Sequence, residues 1–334
     1  MNNPIIKNIL LVTTTGTAFL IVSIVAGLCI GSSDYGPHYI LKAIFNRIEP
    51  DPNFEMILWQ LRFPRVLLAV IAGGALSLGG LVFQALLRNP LSEPYILGIS
   101  GGSAIGAIIG IQLGFSYFPG VSFLAFSGSL ITLIAVMIIS SGNNIGKDSM
   151  ILSGVMINAF CSAVIMFLIS ISIDYKIHNI MFWLMGDFSS ADPKQALLLL
   201  KIILPCFLII FIFSNKMNIL LSGREMASSM GINVKKVMII LLVVTSLMVS
   251  VTVCYCGLIG FVGLVIPHIL RLILGSDHRV LVPASILFGG SYMVLCDLLS
   301  RTLPTQAVLP VGVITAMTGA PLFIYLLRRV KNVS

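Results

Sequence analysis

The stretch NKMNILLSGREMASSMGINVKK, residues 215–236, separates two long apolar runs and carries four basic side chains in a chain that has few, namely Lys216, Arg224, Lys235 and Lys236. Ser222 is a candidate N-cap, and Glu225 stands three residues later, where its carboxylate can bond back to the Ser222 N–H as in a capping box. Gly231 can end the helix, because glycine adopts the left-handed cap conformation without a Cβ clash. The stretch therefore predicts a short capped helix between two membrane spans.

The composition of the whole chain is that of a membrane protein. Of its 334 residues, 57% are hydrophobic and only 10% are charged, whereas a soluble domain has about 25% charged residues. The mean hydropathy is +1.06. One span needs about 20 apolar residues, so the chain has room for about ten transmembrane helices in an all-α polytopic fold. We expect a single transmembrane domain over residues 1–334.

Motifs of enzymes and of metal proteins are missing from the sequence. It has no Walker A loop, no HExxH and no Cys/His cluster at metal-ligand spacing. The six cysteines lie in or beside apolar runs, where we expect them to pack as small apolar side chains. We therefore expect no catalytic residue, no metal site and no cofactor on this chain, which would not be an enzyme.

Apolar runs divide the chain into ten predicted spans and one amphiphilic segment. The first run is too long for the core of a signal peptide and is interpreted as a transmembrane helix. The eighth span is shorter because glycine and proline interrupt it, and residues 175–192 predict an interfacial or re-entrant helix. The predicted spans are residues 9–30, 61–87, 95–114, 121–140, 150–173, 196–213, 237–256, 257–275, 280–299 and 311–327.

Basic residues are unevenly distributed between the two sets of loops that ten spans create. One set carries twelve Lys and Arg against four acidic residues, and the other carries eight against eight. An excess of basic residues marks the cytoplasmic side, so both termini and residues 215–236 are predicted to be cytoplasmic. The same count places Arg62, Arg65 and Arg301 outside, at span ends. The basic composition thus reports topology, and we expect no nucleic-acid partner.

Three functions of different classes compete at this point. An intramembrane protease would use Ser100 in the GISG stretch (98–101) as nucleophile and His268 as base, but both residues have ordinary structural explanations. An ion-coupled secondary transporter usually needs membrane-embedded carboxylates, and Asp297 is the one acid clearly within an apolar run. A permease driven by an ATPase on another chain needs only a docking element, a gate and an outer docking site, and the sequence has candidates for each.

Four long motifs, in order and correctly spaced, carry a family resemblance. They are LRFPR (61–65), FQALLRNPLSEPYILGISGGSAIGA (83–107), GLIGFVGLVIPHILRLILGSDHRVLVP (257–283) and LPVGVITAMTGAPLFIYLL (309–327). With these motifs the chain, from about Leu10 onward, closely resembles the permease subunits of binding-protein-dependent ABC importers for iron-siderophores, haem and vitamin B12, often called the FecCD or BtuC-like family.

The resemblance implies a type II ABC importer fold, with ten helices in each of two permease subunits around one pathway, the second subunit being an identical copy. It also implies two cytoplasmic ATP-binding subunits, which would hold the ATP and Mg²⁺, and a periplasmic or lipid-anchored substrate-binding protein. The chain would lie in the inner (cytoplasmic) membrane, in contact with membrane lipid, and would work by alternating access.

The resemblance also assigns a role to the loop between spans six and seven. In the family this loop forms the coupling helices, which sit in a cleft of the ATPase. The matching residues here are Ser222, Gly223, Arg224, Glu225, Ala227 and Gly231. Residues 215–236 would therefore be the cytoplasmic coupling loop.

Two further sets of residues match family positions. Arg62, Arg65 and Arg301 match arginines that accept carboxylates from the binding protein, a role suited to bidentate guanidinium pairing. Anchoring in lipid headgroups is the alternative for Arg62 or Arg65. Asn89 and Leu91, in the turn after span two, match the inner gate, whereas residues 143–149 depart from the family pattern and receive no gate residue.

The pathway and the substrate are less defined. In the family, spans five and ten line the pathway, and Met156, Asn158 and Ser162 of span five would either line it or make helix contacts. No substrate ligand is evident in the sequence. We expect an iron(III)-siderophore or similar metal chelate, with cobalamin (vitamin B12) or haem as the alternative, because the RFPR, PHILR and DHR blocks resemble the B12 branch closely.

Overall fold

The structure is a computed structural model and describes residues 4–31, 55–140, 147–303 and 309–331. Within these residues the chain forms thirteen α-helices and no strand. The helices are α1 (Pro4–Cys29), α2 (Phe63–Leu87), α3 (Ile99–Gln112), α4 (Ser122–Ser140), α5 (Lys147–Ser170), α6 (Asp174–Met185), α7 (Pro193–Ile212), α8 (Ser214–Leu221), α9 (Arg224–Ser229), α10 (Val234–Cys256), α11 (Val262–Leu274), α12 (His278–Thr302) and α13 (Val311–Lys331).

The predicted all-α polytopic fold is confirmed. Seven of the described helices are long and apolar enough to cross a membrane, and three shorter apolar helices, Ile99–Gln112, Val262–Leu274 and Val311–Leu326, bring the number to the predicted ten. The predicted amphiphilic segment 175–192 overlaps α6, which is 12 residues long and begins one residue earlier, at Asp174. Span positions were predictable because a run of apolar residues is a local property of the chain.

Helix α2 forms the centre of the bundle. Its sequence, FPRVLLAVIAGGALSLGGLVFQALL, has no charged residue after Arg65, and a helix that is apolar all round belongs in a core or a membrane. Its residues from Val66 to Leu87 are nearly all buried, and it packs against α7, α10, α11 and α12. Pro64 is tolerated in the first turn, where a backbone N–H would lack a helical partner in any case.

Two glycine contacts bring α2 very close to its neighbours. A Cβ on Gly73 would lie 2.2 Å from the carbonyl oxygen of Gly289 in α12, and a Cβ on Gly80 would lie 1.9 Å from that of Gly263 in α11. Helices in lipid associate through close packing, since lipid tails are as apolar as the side chains, and small residues let the backbones approach. A side chain at either position would therefore push α2 away from its partner.

Helices α3 and α11 are too short to cross a bilayer alone. They have 14 and 13 residues, or about 20 Å at 1.5 Å per residue, against a hydrocarbon core of about 30 Å. The segments that precede them are joined by Tyr95, whose hydroxyl donates to the carbonyl of Ile259 at 2.8 Å and accepts the Ile259 N–H at 3.1 Å. These bonds satisfy backbone groups that lipid could not.

The connection between α7 and α10 differs from the predicted single capped helix. It contains two helices, α8 and α9, and Ser222 ends α8 with φ −71° and ψ −8°. Gly223 precedes α9 with φ 120° and ψ 154° and no side-chain capping bond, so the predicted capping box of Ser222 with Glu225 is wrong. The reason is that α8 extends to Leu221, which leaves Ser222 in a helical conformation, whereas an N-cap residue needs a non-helical one.

Replacing Gly80 by alanine is expected to destabilise the protein by about 1–3 kcal/mol, the usual cost of overpacking a tight core. Thermal unfolding of the purified protein in detergent measures the effect. Gly260→Ala is the matched control, because a Cβ at Gly260 meets nothing within 4 Å. Equal melting temperatures for the two variants would contradict a packing role for the α2–α11 contact.

Candidate functional site

Two candidate sites lie at opposite ends of α2. The loop face consists of residues 88–93, 214–233 and 275–277, and it includes the turn that follows the end of α2 at Leu87. The arginine face consists of Arg62, Arg65, Asp297 and Arg301, near the start of α2. Because α2 has 25 residues, its ends are about 37 Å apart, and the two faces are on opposite sides of the bundle.

On the loop face, helix α9 ends in a Schellman motif. Gly231 has φ 79°, its N–H donates to the carbonyl of Ser228, and the N–H of Ile232 donates to the carbonyl of Ala227, which are the two bonds of that motif. Ala227 is fully buried, so it seats the helix against the bundle. The predicted helix end at Gly231 is therefore confirmed.

The opposite side of α9 is open to solvent in this chain. Met226 and Met230 are 58% and 60% exposed, and Glu225 is exposed beside them. The side chain of Arg224 lies outside the described part of the structure. A coupling role stays a prediction for the residues named from the family resemblance, which are Ser222, Gly223, Arg224, Glu225, Ala227 and Gly231. The exposed methionines give α9 an apolar surface beside them.

The turn after α2 is shaped by its own residues. Arg88 ends α2 in the left-handed conformation with φ 48°, and Oδ1 of Asn89 accepts the N–H of Leu91 at 2.9 Å, as asparagine does in tight turns. Leu91 is exposed at the tip. Burial raises the pKa of Glu93 to about 7, so part of its population is protonated near neutral pH.

The gate role of Asn89 and Leu91 stays a prediction. The structure shows that Asn89 forms the turn and that Leu91 is its apolar tip. The other turn considered for the gate, residues 143–149, begins outside the described residues.

On the arginine face, one carboxylate binds two arginines. Asp297 is fully buried; its Oδ1 accepts a hydrogen bond from Nε of Arg65 at 2.7 Å, and its Oδ2 lies 3.1 Å from Nε of Arg301. Arg65 belongs to α2, whereas Arg301 follows Asp297 by one turn of α12. The pair of Arg65 with Asp297 therefore joins α2 to α12, the pair of Arg301 with Asp297 lies within α12, and in each pair one charge offsets the large cost of burying the other.

Carbonyl groups near the end of α1 bind further arginine donors. Nη1 of Arg62 donates to the carbonyl of Leu28 at 2.7 Å, and Nη2 of Arg301 donates to the carbonyl of Gly27 at 3.0 Å. Arg62 and Arg65 are only 6% and 9% exposed, which does not fit anchoring in lipid headgroups. The three predicted docking residues do lie together, but they are bound within the chain, and their docking role stays a prediction.

Among the described residues, Ser100 and His268 do not form the hydrogen-bonded pair that a protease would need. Both ring nitrogens of His268 are buried without a hydrogen-bond partner there, and the ring packs edge-on against Phe323 with centroids 5.8 Å apart. A nucleophile such as Ser100 would need to lie within hydrogen-bond reach of its base.

Cysteines and metal ligands give no second site in the described part of the chain. The six cysteines are buried and form no disulfide, which confirms that they pack as small apolar side chains. Among the described residues, no group of three or more His, Cys, Asp or Glu is placed to hold a metal ion.

Helix α5, the predicted fifth span, exposes much of its apolar surface. Met156 is 64% exposed and Phe160 is 69% exposed. Asn158 donates through Nδ2 to the carbonyl of Tyr95 at 2.8 Å, so it makes a helix contact. Ser162 donates to the carbonyl of Asn158 on its own helix. Of the three side chains considered for the pathway, Met156 and Ser162 are exposed on the surface of the bundle, whereas Asn158 contacts another segment.

The sequence did not indicate three residues that organise these faces, namely Tyr95, Asn218 and Asp297 in its role as counter-ion. Asp297 could have been found from its i, i+4 spacing to Arg301, which puts both on one side of a helix. Tyr95 and Asn218 bond to residues 164 and 59 positions away, and no local pattern reports such contacts.

The chain is similar to known proteins over nearly all of its length. The model of the FecCD transport family matches residues 19–329. The chain is 36% identical to an uncharacterized ABC transporter permease protein, YvrB, of Bacillus subtilis (strain 168), over 94% of this chain and 92% of that protein. It is 37% identical to the vitamin B12 import system permease protein BtuC of Citrobacter koseri, over 95% of this chain and 93% of that protein.

A solved structure has a closely similar fold. It is described as an inward-facing conformation of an ABC transporter assigned to the metal-chelate type, and it is 31% identical in sequence to this chain. The similarity covers 95% of this chain and 98% of that chain, with a TM-score of 0.85.

Replacing Asp297 by asparagine is expected to destabilise the protein by about 3–5 kcal/mol, because removing one member of a buried ion pair leaves the other charge uncompensated. Combining Asp297→Asn with Arg65→Gln restores the original net charge and should recover part of that loss. Thermal unfolding in detergent compares the two. A double variant less stable than Asp297→Asn alone would contradict the ion-pair account.

Proposed function

The chain belongs to the FecCD transport family, and from this premise we propose that it is the permease subunit that moves an iron(III)-siderophore or a similar metal chelate through an ABC importer in the inner membrane. The observation that carries the proposal is the similarity, over 95% of the chain, to the solved transporter assigned to the metal-chelate type. On this proposal residues 1–334 act as one permease domain, which supplies a pathway and leaves ATP hydrolysis to a separate subunit.

Cobalamin is the second candidate substrate. It is favoured by the 37% identity to the vitamin B12 import permease BtuC. Cobalamin is also a chelated metal, so both candidates are bulky polar complexes that cannot cross lipid unaided. Haem remains the third possibility within the same family.

We propose that the loop face is cytoplasmic, together with both termini, and that the arginine face is on the outer side. The uneven distribution of basic residues supports this orientation, since twelve of the chain's 20 Lys and Arg fall on the predicted cytoplasmic side. Helix α9 would then sit in a cleft of a cytoplasmic ATPase, which would hold ATP and Mg²⁺. The exposed Met226 and Met230 beside Glu225 suit such a contact, because methionine adapts its shape to a partner.

A second copy of the chain would complete the pathway. The proposal places α5 and α13 around it, and both expose apolar residues in the single chain, such as Phe160 and Met317, which is 67% exposed. Few fixed polar groups project from these helices, so the wall would hold a chelate weakly and allow its release. The turn with Asn89 and Leu91 would close the pathway at the cytoplasmic end in alternating access.

A substrate-binding protein would dock on the arginine face. Its carboxylates would bind Arg62, Arg65 or Arg301 and would compete with Asp297 for Arg65 and Arg301. Replacing Arg65 by glutamate would place a second carboxylate beside Asp297 and disturb the structure itself. The double variant Arg65→Gln with Asp297→Asn removes both charges and therefore tests docking more directly. It should bind the binding protein more weakly while the ATPase still assembles with the permease.

Uptake measurements in a strain that lacks this permease test the substrate. Labelled ferric siderophore, haem and cobalamin would be compared, each with and without a plasmid that carries the gene. We expect restored, ATP-dependent uptake of a ferric siderophore. Restoration of cobalamin uptake alone would support the second candidate, and transport without any ATPase partner would contradict an ABC importer.

Replacing Gly231 by valine is expected to uncouple ATP hydrolysis from uptake. A β-branched residue resists φ 79°, a conformation that costs L-residues about 1–2 kcal/mol, so α9 would lose its fixed end. The measurement is substrate transported per ATP hydrolysed in proteoliposomes. Gly114→Val is the matched control, since Gly114 has φ 77° and equally open surroundings on the other side of the bundle. Equal transport per ATP in the two variants would contradict the coupling role.

A further inference from the structure

The side chain of Asn218 binds helix α8 to the start of α12. Nδ2 of Asn218 donates to Oδ1 of Asp277 at 2.7 Å, and Oδ1 of Asn218 accepts the backbone N–H of His278 at 2.8 Å. Nδ1 of His278 lies 2.8 Å from the same oxygen. Asn218 thus uses both its amide donor and its amide acceptor on α12, which fixes the position and the rotation of α8 at this point.

The acceptor on α12 is itself held in place. Asp277 is the N-cap of α12 and accepts the backbone N–H of Arg279 at 2.9 Å, and the guanidinium of Arg279 binds the same carboxylate at 2.7 Å. Hydrogen bonds from Arg279 and Asn218 lower the pKa of Asp277 to about 2. The carboxylate therefore stays charged over the physiological range, and its bond to Asn218 is of the stronger, charge-assisted kind.

A second bond joins α8 to α2. Nη2 of Arg88, the residue that ends α2, donates to the carbonyl of Leu220 at 2.6 Å. This carbonyl is one of the last in α8, and it also accepts the backbone N–H of Gly223 at 3.3 Å. Helix α8 is consequently bound to the start of α12 and to the end of α2, the two helices that are joined elsewhere by Gly73 with Gly289 and by Arg65 with Asp297.

Only Ser222 and Gly223 separate α8 from α9. Resting on the function proposed above, we propose that Asn218 is a positioning residue for energy coupling, which fastens α8 to α12 so that a displacement of α9 moves α12 and α2 together. Without that bond, α8 would turn or slide on its own and the movement of α9 would be lost before it reached the core.

The first test removes the bond. In proteoliposomes with the complete transporter, Asn218→Ala should hydrolyse ATP at close to the wild-type rate and transport at least about fivefold less substrate per ATP, since the loss of several hydrogen bonds changes an equilibrium by such a factor. Asn179→Ala is the matched control, because Asn179 is an exposed asparagine of α6, outside the loop face and the arginine face. If Asn218→Ala transported as much substrate per ATP as the wild-type protein, the proposal would be overturned.

An exchange of the two side chains separates positioning from a general loss of structure. Asn218→Asp alone places two carboxylates together and should be at least as defective as Asn218→Ala. Asn218→Asp combined with Asp277→Asn restores one donor and one acceptor, and asparagine is also a good N-cap, so transport per ATP should recover. A double variant as defective as Asn218→Asp would overturn the proposal, and this comparison holds even if Asn218→Ala fails to fold.

A distance measurement keeps this inference distinct from the proposed function. Spin labels on Asn215→Cys and Ser276→Cys report the spacing of α8 and α12, and the six native cysteines are buried away from the label. Asn218→Ala should broaden the distance distribution, and the exchanged pair should narrow it again. An unchanged distance distribution in Asn218→Ala overturns the proposed role of Asn218. If the wild-type protein shows the narrow distribution but transports no chelate, the proposed function alone is overturned.

Discussion

A bilayer gives helices no hydrophobic reason to associate and offers no hydrogen bonds to their backbones, and the close approach of α2 to α11 and α12 is how this chain meets that constraint. At Gly73 and Gly80, carbonyl groups of the neighbouring helices come so close to α2 that a Cβ atom would overlap them. Around that centre, Tyr95 satisfies the backbone of a segment that is not helical. The other helices pack on this group, and those at its edge, such as α5, keep large apolar surfaces for lipid or for a second copy.

Charge is used sparingly, and the cluster around Asp297 joins elements far apart in sequence. A buried carboxylate with one arginine of α2 and one of α12 satisfies charges that would be costly alone. The i, i+4 spacing of Asp297 and Arg301 orients both side chains toward α2. The consequence for function is that arginines proposed to receive a binding protein already have an internal partner, so docking would exchange one carboxylate for another instead of burying a new charge.

Helix α2 also connects the two faces. Arg65 near its start binds Asp297, and Arg88 at its end binds the carbonyl of Leu220 in α8. A tightly packed helix transmits displacement along its length, because close-packed interiors deform little. On the proposed function, an ATPase acting on α9 would therefore reach the arginine face through α8, α2 and α12, with Asn218 as the contact that decides whether α8 follows.

The sequence by itself determined the ten apolar helices, the end of α9 at Gly231 and the family. It also determined that the excess of Lys and Arg falls on one of the two sets of loops. Each of these depends on neighbouring residues or on long motifs that one chain displays. The tertiary structure decided that Ser222 ends α8 instead of capping α9, that Arg65 and Arg301 are bound by Asp297, and that Asn218 holds α8 to α12. Those outcomes depend on which helices pack together, and a residue's local pattern carries no information about a partner that folding brings to it from tens or hundreds of positions away.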